Sequence, residues 1–334
     1  MQEATKFVPH RWFRGGHVQT LASFLIPRRS RVPAGTKRTI EVAPGVRVLC
    51  HCHWQAKRDK SLAIILVHGL EGSSDSQYML GLTEKALAAG MSVICFNQRS
   101  CGGTEDWAPV IYHSGLSHDI AAVARELIDR DGVSRFALVG FSMGGNLVLK
   151  LAGEWGENAP TQFRAVAVCC PALDLAPSAD ALHAPSNRIY ETYFLWALRR
   201  RMTRKARLFP GHFDRGRLKN IRSLREFDDK ITAYYCGFRD VDDYYDRASA
   251  AHVVGRIAVP ALILHAANDP FIRITRETRG KILANPNIRF VETEDGGHCA
   301  FVGARNGAGS QDGCRDDGYW AESTIVKFLR GLEG

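Results

Sequence analysis

The sequence holds no run of about 20 apolar residues, so no membrane-spanning helix is expected. Residues 1–21, MQEATKFVPHRWFRGGHVQTL, have no apolar stretch followed by a small-residue cleavage site, which excludes a secretory signal from the reading. No C-x-x-C pair occurs among the nine cysteines, Cys50, Cys52, Cys95, Cys101, Cys169, Cys170, Cys236, Cys299 and Cys314. Their number is odd and most sit in apolar runs. This argues against a disulfide framework and for reduced, buried thiols in a cytoplasmic protein. No internal repeat and no low-complexity segment is present. Acids are the scarcer charge, 35 against 44 Lys and Arg, for a net charge of +9. That balance is compatible with acidic partners, but no nucleic-acid-binding motif accompanies it, so no nucleic-acid partner is expected.

What is present is ordinary globular composition, 45% hydrophobic and 24% charged over 334 residues. The length suits one large α/β domain with an insertion, or two domains. Residues 1–36 read as a basic, irregular arm packed on the main body. Arg38 to Trp54 alternates around Pro44–Gly45 and predicts a hairpin. Apolar, β-branched runs then predict buried strands at 62–69, 91–97, 135–141, 163–171, 259–266 and 287–293. Helices are predicted over 76–89, 116–130, 146–155, around 274–284 and around 319–332. The alternation argues for a doubly wound, parallel sheet. It stops between Leu173 and Arg256, a stretch too long for a connection and too rich in aromatics for a linker, which predicts a mostly helical insertion.

One serine stands out. Gly140-Phe141-Ser142-Met143-Gly144 fits G-x-S-x-G between a predicted strand and a predicted helix, where a sharp corner lifts the hydroxyl above the sheet. The glycines leave room for strand and helix to approach, and the helix N-terminus aims N–H groups at the reacting centre. A serine hydroxyl needs a base and an orienter, and in this arrangement the acid and then the base follow the serine, each after a later strand. Asp269 follows the strand 259–266 and His298 follows the strand 287–293. Competing acids are Asp240, Asp242 and Asp243, inside the insertion, and Asp295, too near His298 in the chain to orient it. Serine at the corner argues against chemistry that wants a carboxylate nucleophile there. Two N–H donors are then needed for the developing oxyanion. The backbone of Met143 is one; Leu70, in the loop His68-Gly69-Leu70-Glu71-Gly72-Ser73, is the candidate for the other, with the His68 ring tying that loop down.

HVQTL (17–21), HGLEGSS (68–74), FNQRSCGGT (96–104), GFSMGGN (140–146), LREFDDKITA (224–233), DDYYDRAS (242–249) and HAANDPF (265–271) together resemble the YheT-like branch of the α/β-hydrolase superfamily, which also contains eukaryotic alpha/beta-hydrolase-domain lipases. The resemblance runs from His17 to the terminal helix. It implies an eight-stranded, mostly parallel sheet with helices on both faces and a helical cap inserted after the sixth strand. It also implies serine carboxylesterase or lipase activity, with Ser142, Asp269 and His298 matching the family's catalytic serine, aspartate and histidine. Some relatives carry an N-terminal membrane anchor; this chain resembles the soluble bacterial type. Others carry H-x-x-x-x-D, linked with acyltransferase activity. Here the matching stretch is His113-Ser-Gly-Leu-Ser-His118-Asp119, with Asp119 one position late, so no acyltransferase is predicted.

The domains expected are therefore an arm at 1–36, a core at 37–172 and 257–334, and a cap at 173–256. The function expected is a serine ester hydrolase acting on short- to medium-chain acyl esters, with no cofactor and no metal. Arg188 to Arg225 carries twelve Arg or Lys against Glu191 and Asp214. This suits either a solvated, ion-paired face or a lid that touches anionic membrane, and the second leaves a lipase or phospholipase as an alternative. A non-catalytic ligand-binding protein on the same fold is the alternative of another class. Phe194, Leu195 and Trp196 are expected near the pocket floor. Cys50-His51-Cys52-His53 alternates across a strand and cannot converge on a metal. His17 and Cys299 are read as packing residues. Oligomeric state is not legible.

Overall fold

The structure, a computed structural model, describes residues 6–26, 28, 31–304 and 317–332. Cys314 and the parts of the expected arm and core at 1–5, 27, 29–30, 305–316 and 333–334 lie outside the described residues. In chain order the elements of the main body are α1 Gly16–Leu25, β1 Thr36–Ala43, β2 Val46–His53, β3 Ala63–Val67, α2 Gln77–Ala88, β4 Ser92–Phe96, α3 Ser117–Asp131, β5 Phe136–Phe141, α4 Met143–Trp155 and β6 Phe163–Cys169. A helical segment follows: α5 Leu175–Leu182, α6 Arg188–Leu208, α7 Leu224–Phe227, α8 Tyr234–Cys236 and α9 Val241–Ala248. The main body then resumes with β7 Ala261–Ala266, α10 Arg276–Ala284, β8 Ile288–Thr293 and α11 Trp320–Arg330.

The eight strands form one sheet in the order β1-β2-β4-β3-β5-β6-β7-β8. β2 runs antiparallel to both neighbours, and the pairs from β4 to β8 are parallel. β3 and β5, at the centre, are apolar throughout because both of their faces are covered. In β3, Ile65 and Val67 join Ile120, Val123, Leu147 and Leu151 of α3 and α4 on one face. Ile64 and Leu66 join Met79 and Leu82 of α2 and Ile325 and Leu329 of α11 on the other. The chain order reverses across β3, so the carboxyl ends of β3 and β5, side by side at the reversal, are where such sheets place ligands.

Three boundaries differ from the sequence expectation. The arm is not irregular throughout: it contains α1, whose Gln19 is wholly buried. α4 begins at Met143 rather than 146, because the chain turns into the helix directly after Ser142. Within the segment between β6 and β7, residues 228–233 coil as a π-helix that runs on from α7 into α8, an irregularity with no composition signature and one often found at functional sites.

Candidate active site

Ser142 is held at φ 54° and ψ −121°, a sparsely populated conformation for a residue with a side chain. The neighbouring glycines make it possible. A Cβ on Gly140 would lie 2.5 Å from the Gly144 carbonyl carbon, and one on Gly144 would lie 2.5 Å from His68 O. The first turn of α4 is thus packed against the end of β3. A Cβ on Gly69 would come within 3.1 Å of Ser142 Cβ, so the loop after β3 passes directly beside the serine.

Two more loops meet Ser142 from the far strands. The Ser142 hydroxyl donates to His298 Nε2 at 2.9 Å, and His298 Nδ1–H donates to Asp269 Oδ2 at 2.8 Å. That tautomer follows from the carboxylate, which can only accept. The other Asp269 oxygen accepts the N–H groups of Phe271 and Ile272 at 3.1 and 2.9 Å. Burial alone would raise the Asp269 pKa, but His298 and the Ile272 N–H outweigh it and hold the carboxylate below its ordinary range. Burial disfavours the His298 imidazolium. The charge and hydrogen bond of Asp269, with Cys170 beside it, outweigh that and hold His298 above its ordinary value. The sequence thus placed its acid and base on segments that the fold brings together. Asp295, the nearest competing acid, faces elsewhere: it accepts from Gly15 N–H at 2.9 Å and from Asn268 at 2.8 Å.

The loop after β3 is tied down as expected, and by more than His68. The His68 ring is wholly buried, donates from Nδ1 to Gly69 O at 2.8 Å and accepts Gln98 N–H on Nε2 at 3.2 Å. Burial lowers its pKa to about 4, so it stays neutral. From the helical segment, Arg201 donates to Glu71 at 2.8 Å, and Glu71 also accepts the Tyr112 hydroxyl at 2.6 Å. Lys205, next along α6, is fully buried and donates to Ser100 Oγ and Glu105 O at 3.1 and 2.9 Å. Two of the cations in the basic stretch are therefore tethers.

Ser142, Leu70 and Met143 line one cavity, roofed by the helical segment through Leu182, Phe194, Leu198 and Met202. Of the three residues expected near its floor only Phe194 lines it. Leu195 is buried beside it, in the cluster that also holds the cavity-lining Leu198 and Met202, and Trp196, on the opposite side of α6, is 56% exposed. One side is polar. Asp228, on the π-helix, lines the cavity and accepts from Thr232 and Tyr245 at 2.7 Å each. Burial raises its pKa to about 6. His113 also lines the cavity, neutral because burial lowers its pKa to about 3. Asp119 is instead clamped by Arg99, with two contacts of 2.6 Å.

The sequence missed what holds the histidine loop. Thr20 Oγ1 accepts His298 N–H at 2.9 Å, and Gln19 bonds Val302 through both its oxygen and its nitrogen. The signal was HVQTL itself, whose working residues are Gln19 and Thr20, while His17 stacks on Tyr190 at 5.7 Å. Asn146 was missed as well; its side chain ties α4 to Ser114 O, Ala248 O and Ala250 N–H at 2.8–2.9 Å. Among the described residues, two groups of possible ligand atoms converge within 4.8 Å: Cys169 with Cys170 and Cys299, and Cys170 with Asp269 and His298. Cys299 packs against the core cluster, as read from the sequence, and its Sγ also lies 3.9 Å from His298 Nε2. Cys50 and Cys52 are buried while His51 and His53 are half-buried, as strand alternation requires.

Comparison with known proteins identifies the family and the fold. Residues 63–304 match a family described as the alpha/beta hydrolase fold. The chain is 34% identical over 303 residues to "Putative esterase YheT" of Escherichia coli (strain K12), covering 90% of this chain and 88% of that protein. It is 30% identical over 243 residues to phospholipase ABHD3 of Mus musculus, covering 72% of this chain but only 58% of the relative. Among solved structures, the esterase Pf2001 of Pyrococcus furiosus superposes with a TM-score of 0.55 at 15% identity, over 92% of this chain and 99% of that one, a likeness of fold.

Proposed function

This chain belongs to the alpha/beta hydrolase fold family, in its YheT-like branch of esterases and lipases, and from that premise we propose that it is a serine carboxylic-ester hydrolase acting through an acyl-enzyme on short- to medium-chain acyl esters. The observation that carries the proposal is the relay Ser142–His298–Asp269, with links of 2.9 and 2.8 Å, opening into a largely apolar cavity. Ser142 Oγ attacks the ester carbonyl while His298 Nε2 takes its proton. Asp269 holds the imidazole tautomer and stabilises the imidazolium. The N–H groups of Leu70 and Met143 receive the oxyanion. Two facts support that choice. Gly69 N–H is taken by Tyr78 and Glu71 N–H by Tyr112, which leaves Leu70 between them. Met143 opens α4, where N–H groups have no intrahelical acceptor. His298 then protonates the leaving alcohol, and water repeats the sequence on the acyl-enzyme.

The chemistry of these residues needs no cofactor or metal. In this reading residues 1–36 are an arm that secures the histidine loop, 37–172 and 257–334 are the catalytic core, and 173–256 are a cap that shapes the acyl and alcohol sites. The eight described cysteines are unpaired, which supports a cytoplasmic setting. A second reading, a lipase or phospholipase working at a membrane surface, is favoured by the exposed cations of α6. An acyl-ester panel run on wild type and Ser142→Ala tests the proposal. Loss of kcat by several orders of magnitude with folding intact is expected. A wild type inert to every ester would leave only the ligand-binding alternative.

A further inference from the structure

α6 has two apolar stripes, and only one of them is covered. Tyr190, Leu195, Leu198 and Met202 are buried. Ile189, Tyr193 and Trp196 are 60%, 42% and 56% exposed. α1 adds Phe24 and Leu25, 58% and 68% exposed. The patch is contiguous: the Phe24 and Tyr193 rings meet edge-on at 5.3 Å, and Tyr193 lies 6.4 Å from Trp196. Single exposed apolar residues are normal, but a joined aromatic patch across two elements marks a contact surface.

The charge around the patch says what it contacts. Residues 188–222 expose seven Arg or Lys against one exposed acid, Asp214. Beside Trp196 a surface groove is rimmed by Arg199, Arg200 and Arg222 with Thr192 and Thr203. Arg200 lies over the Trp196 ring at 5.5 Å, and Glu226 takes only the backbone N–H of Arg222. Guanidinium forks and hydroxyls around one groove suit phosphate oxygens. Trp and Tyr beside them suit a lipid headgroup layer, where one end of the ring is wet and the other apolar. Ring contacts continue inward, from Tyr193 to Phe194 at 5.7 Å, to Phe271 at 6.2 Å and to His298 at 4.4 Å.

We infer that this face of α1 and α6 docks on an anionic phospholipid surface, with the groove taking a lipid phosphate and the aromatic patch entering the headgroup layer. This deepens the esterase reading by directing the enzyme to lipid esters. Binding is tested apart from catalysis by flotation of Ser142→Ala protein with vesicles of phosphatidylcholine alone or mixed with phosphatidylglycerol. Capture by the anionic vesicles, weakening as salt rises, is expected. Adding Phe24→Ala with Trp196→Ala, or Arg200→Glu with Arg222→Glu, is expected to weaken capture about tenfold or more, circular dichroism being unchanged. Equal capture by neutral vesicles, undiminished capture of both double variants, or no capture would overturn the inference. So would release by inorganic phosphate at the lipid phosphate concentration, which would indicate a free-phosphate site. A dimer that dissociates on Trp196→Ala would make the patch a self-interface instead. Hydrolysis of a soluble short-chain ester by the same variants with Ser142 restored tests the esterase reading separately.

Discussion

The sheet and the proposed cap, the helical segment between β6 and β7, meet at Ser142 and are built on different terms. β3, β4, β5 and β7 are buried at every residue, and the loops leaving them are fixed by glycine contacts and by buried polar groups such as His68 and Asp269. The cap is a run of helices whose polar and aromatic residues fall on both sides of α6. It is fastened to the core at particular points, among them Arg201 on Glu71 and Lys205 on Ser100. In the proposed reading the difference separates two tasks. Chemistry needs atoms fixed to a fraction of an ångström, which dense packing supplies. Choice of substrate needs a wall that can vary without moving those atoms.

If that division holds, changes on the sheet side should cost far more than changes in the cap. Asp269→Asn should lower kcat by about 10⁴ while the protein stays folded, because the wrong imidazole tautomer faces Ser142. Steady-state kinetics beside a thermal melt measure both. Gly144→Ala places a methyl 2.5 Å from His68 O. It should cost about 1–3 kcal/mol in a urea titration, and about a hundredfold in kcat as Ser142 shifts.

Acid should find both sides together, since His68 belongs to the core and His113 faces the cap. Burial holds their folded pKa values at about 4 and about 3, below the unfolded value near 6.5. The unfolded chain therefore takes up protons first, so their contribution is present above pH 6.5 and is lost as pH falls, through about 4 for His68 and about 3 for His113. For His68 alone the loss is about 3 kcal/mol between pH 7 and pH 4, read from urea midpoints. Activity should fall on the acid side as well, with a midpoint above the ordinary histidine value, because Asp269 raises His298 and the base must be neutral. The smallest effect belongs to the cap: Leu198→Phe should cut kcat/KM for longer acyl esters about tenfold while sparing acetyl esters.

The sheet and the relay were legible because they rest on short-range rules. Continuous β-branched runs such as Ala63–Val67 admit one reading, and G-x-S-x-G states its strand–turn–helix context locally. The order serine, acid, base then singled out Asp269 and His298 without any distance being known. The cap was legible only as helical. Which stripe of α6 turns inward depends on packing against α1 and the loop after β3, so Trp196 was placed at the pocket and is found outside it. Gln19 and Thr20 escaped because their work is done 278 or more residues away, through backbone bonds that carry no pattern. Asp228 escaped because the π-helix that aims it has no compositional mark.

The most direct measurement is labelling with a fluorophosphonate, followed by peptide mass analysis. One adduct is expected, on Ser142, lost in Ser142→Ala and strongly slowed in His298→Ala but not in Cys299→Ser. An adduct on Cys299, or a Ser142 that stays unlabelled in folded protein, would contradict it.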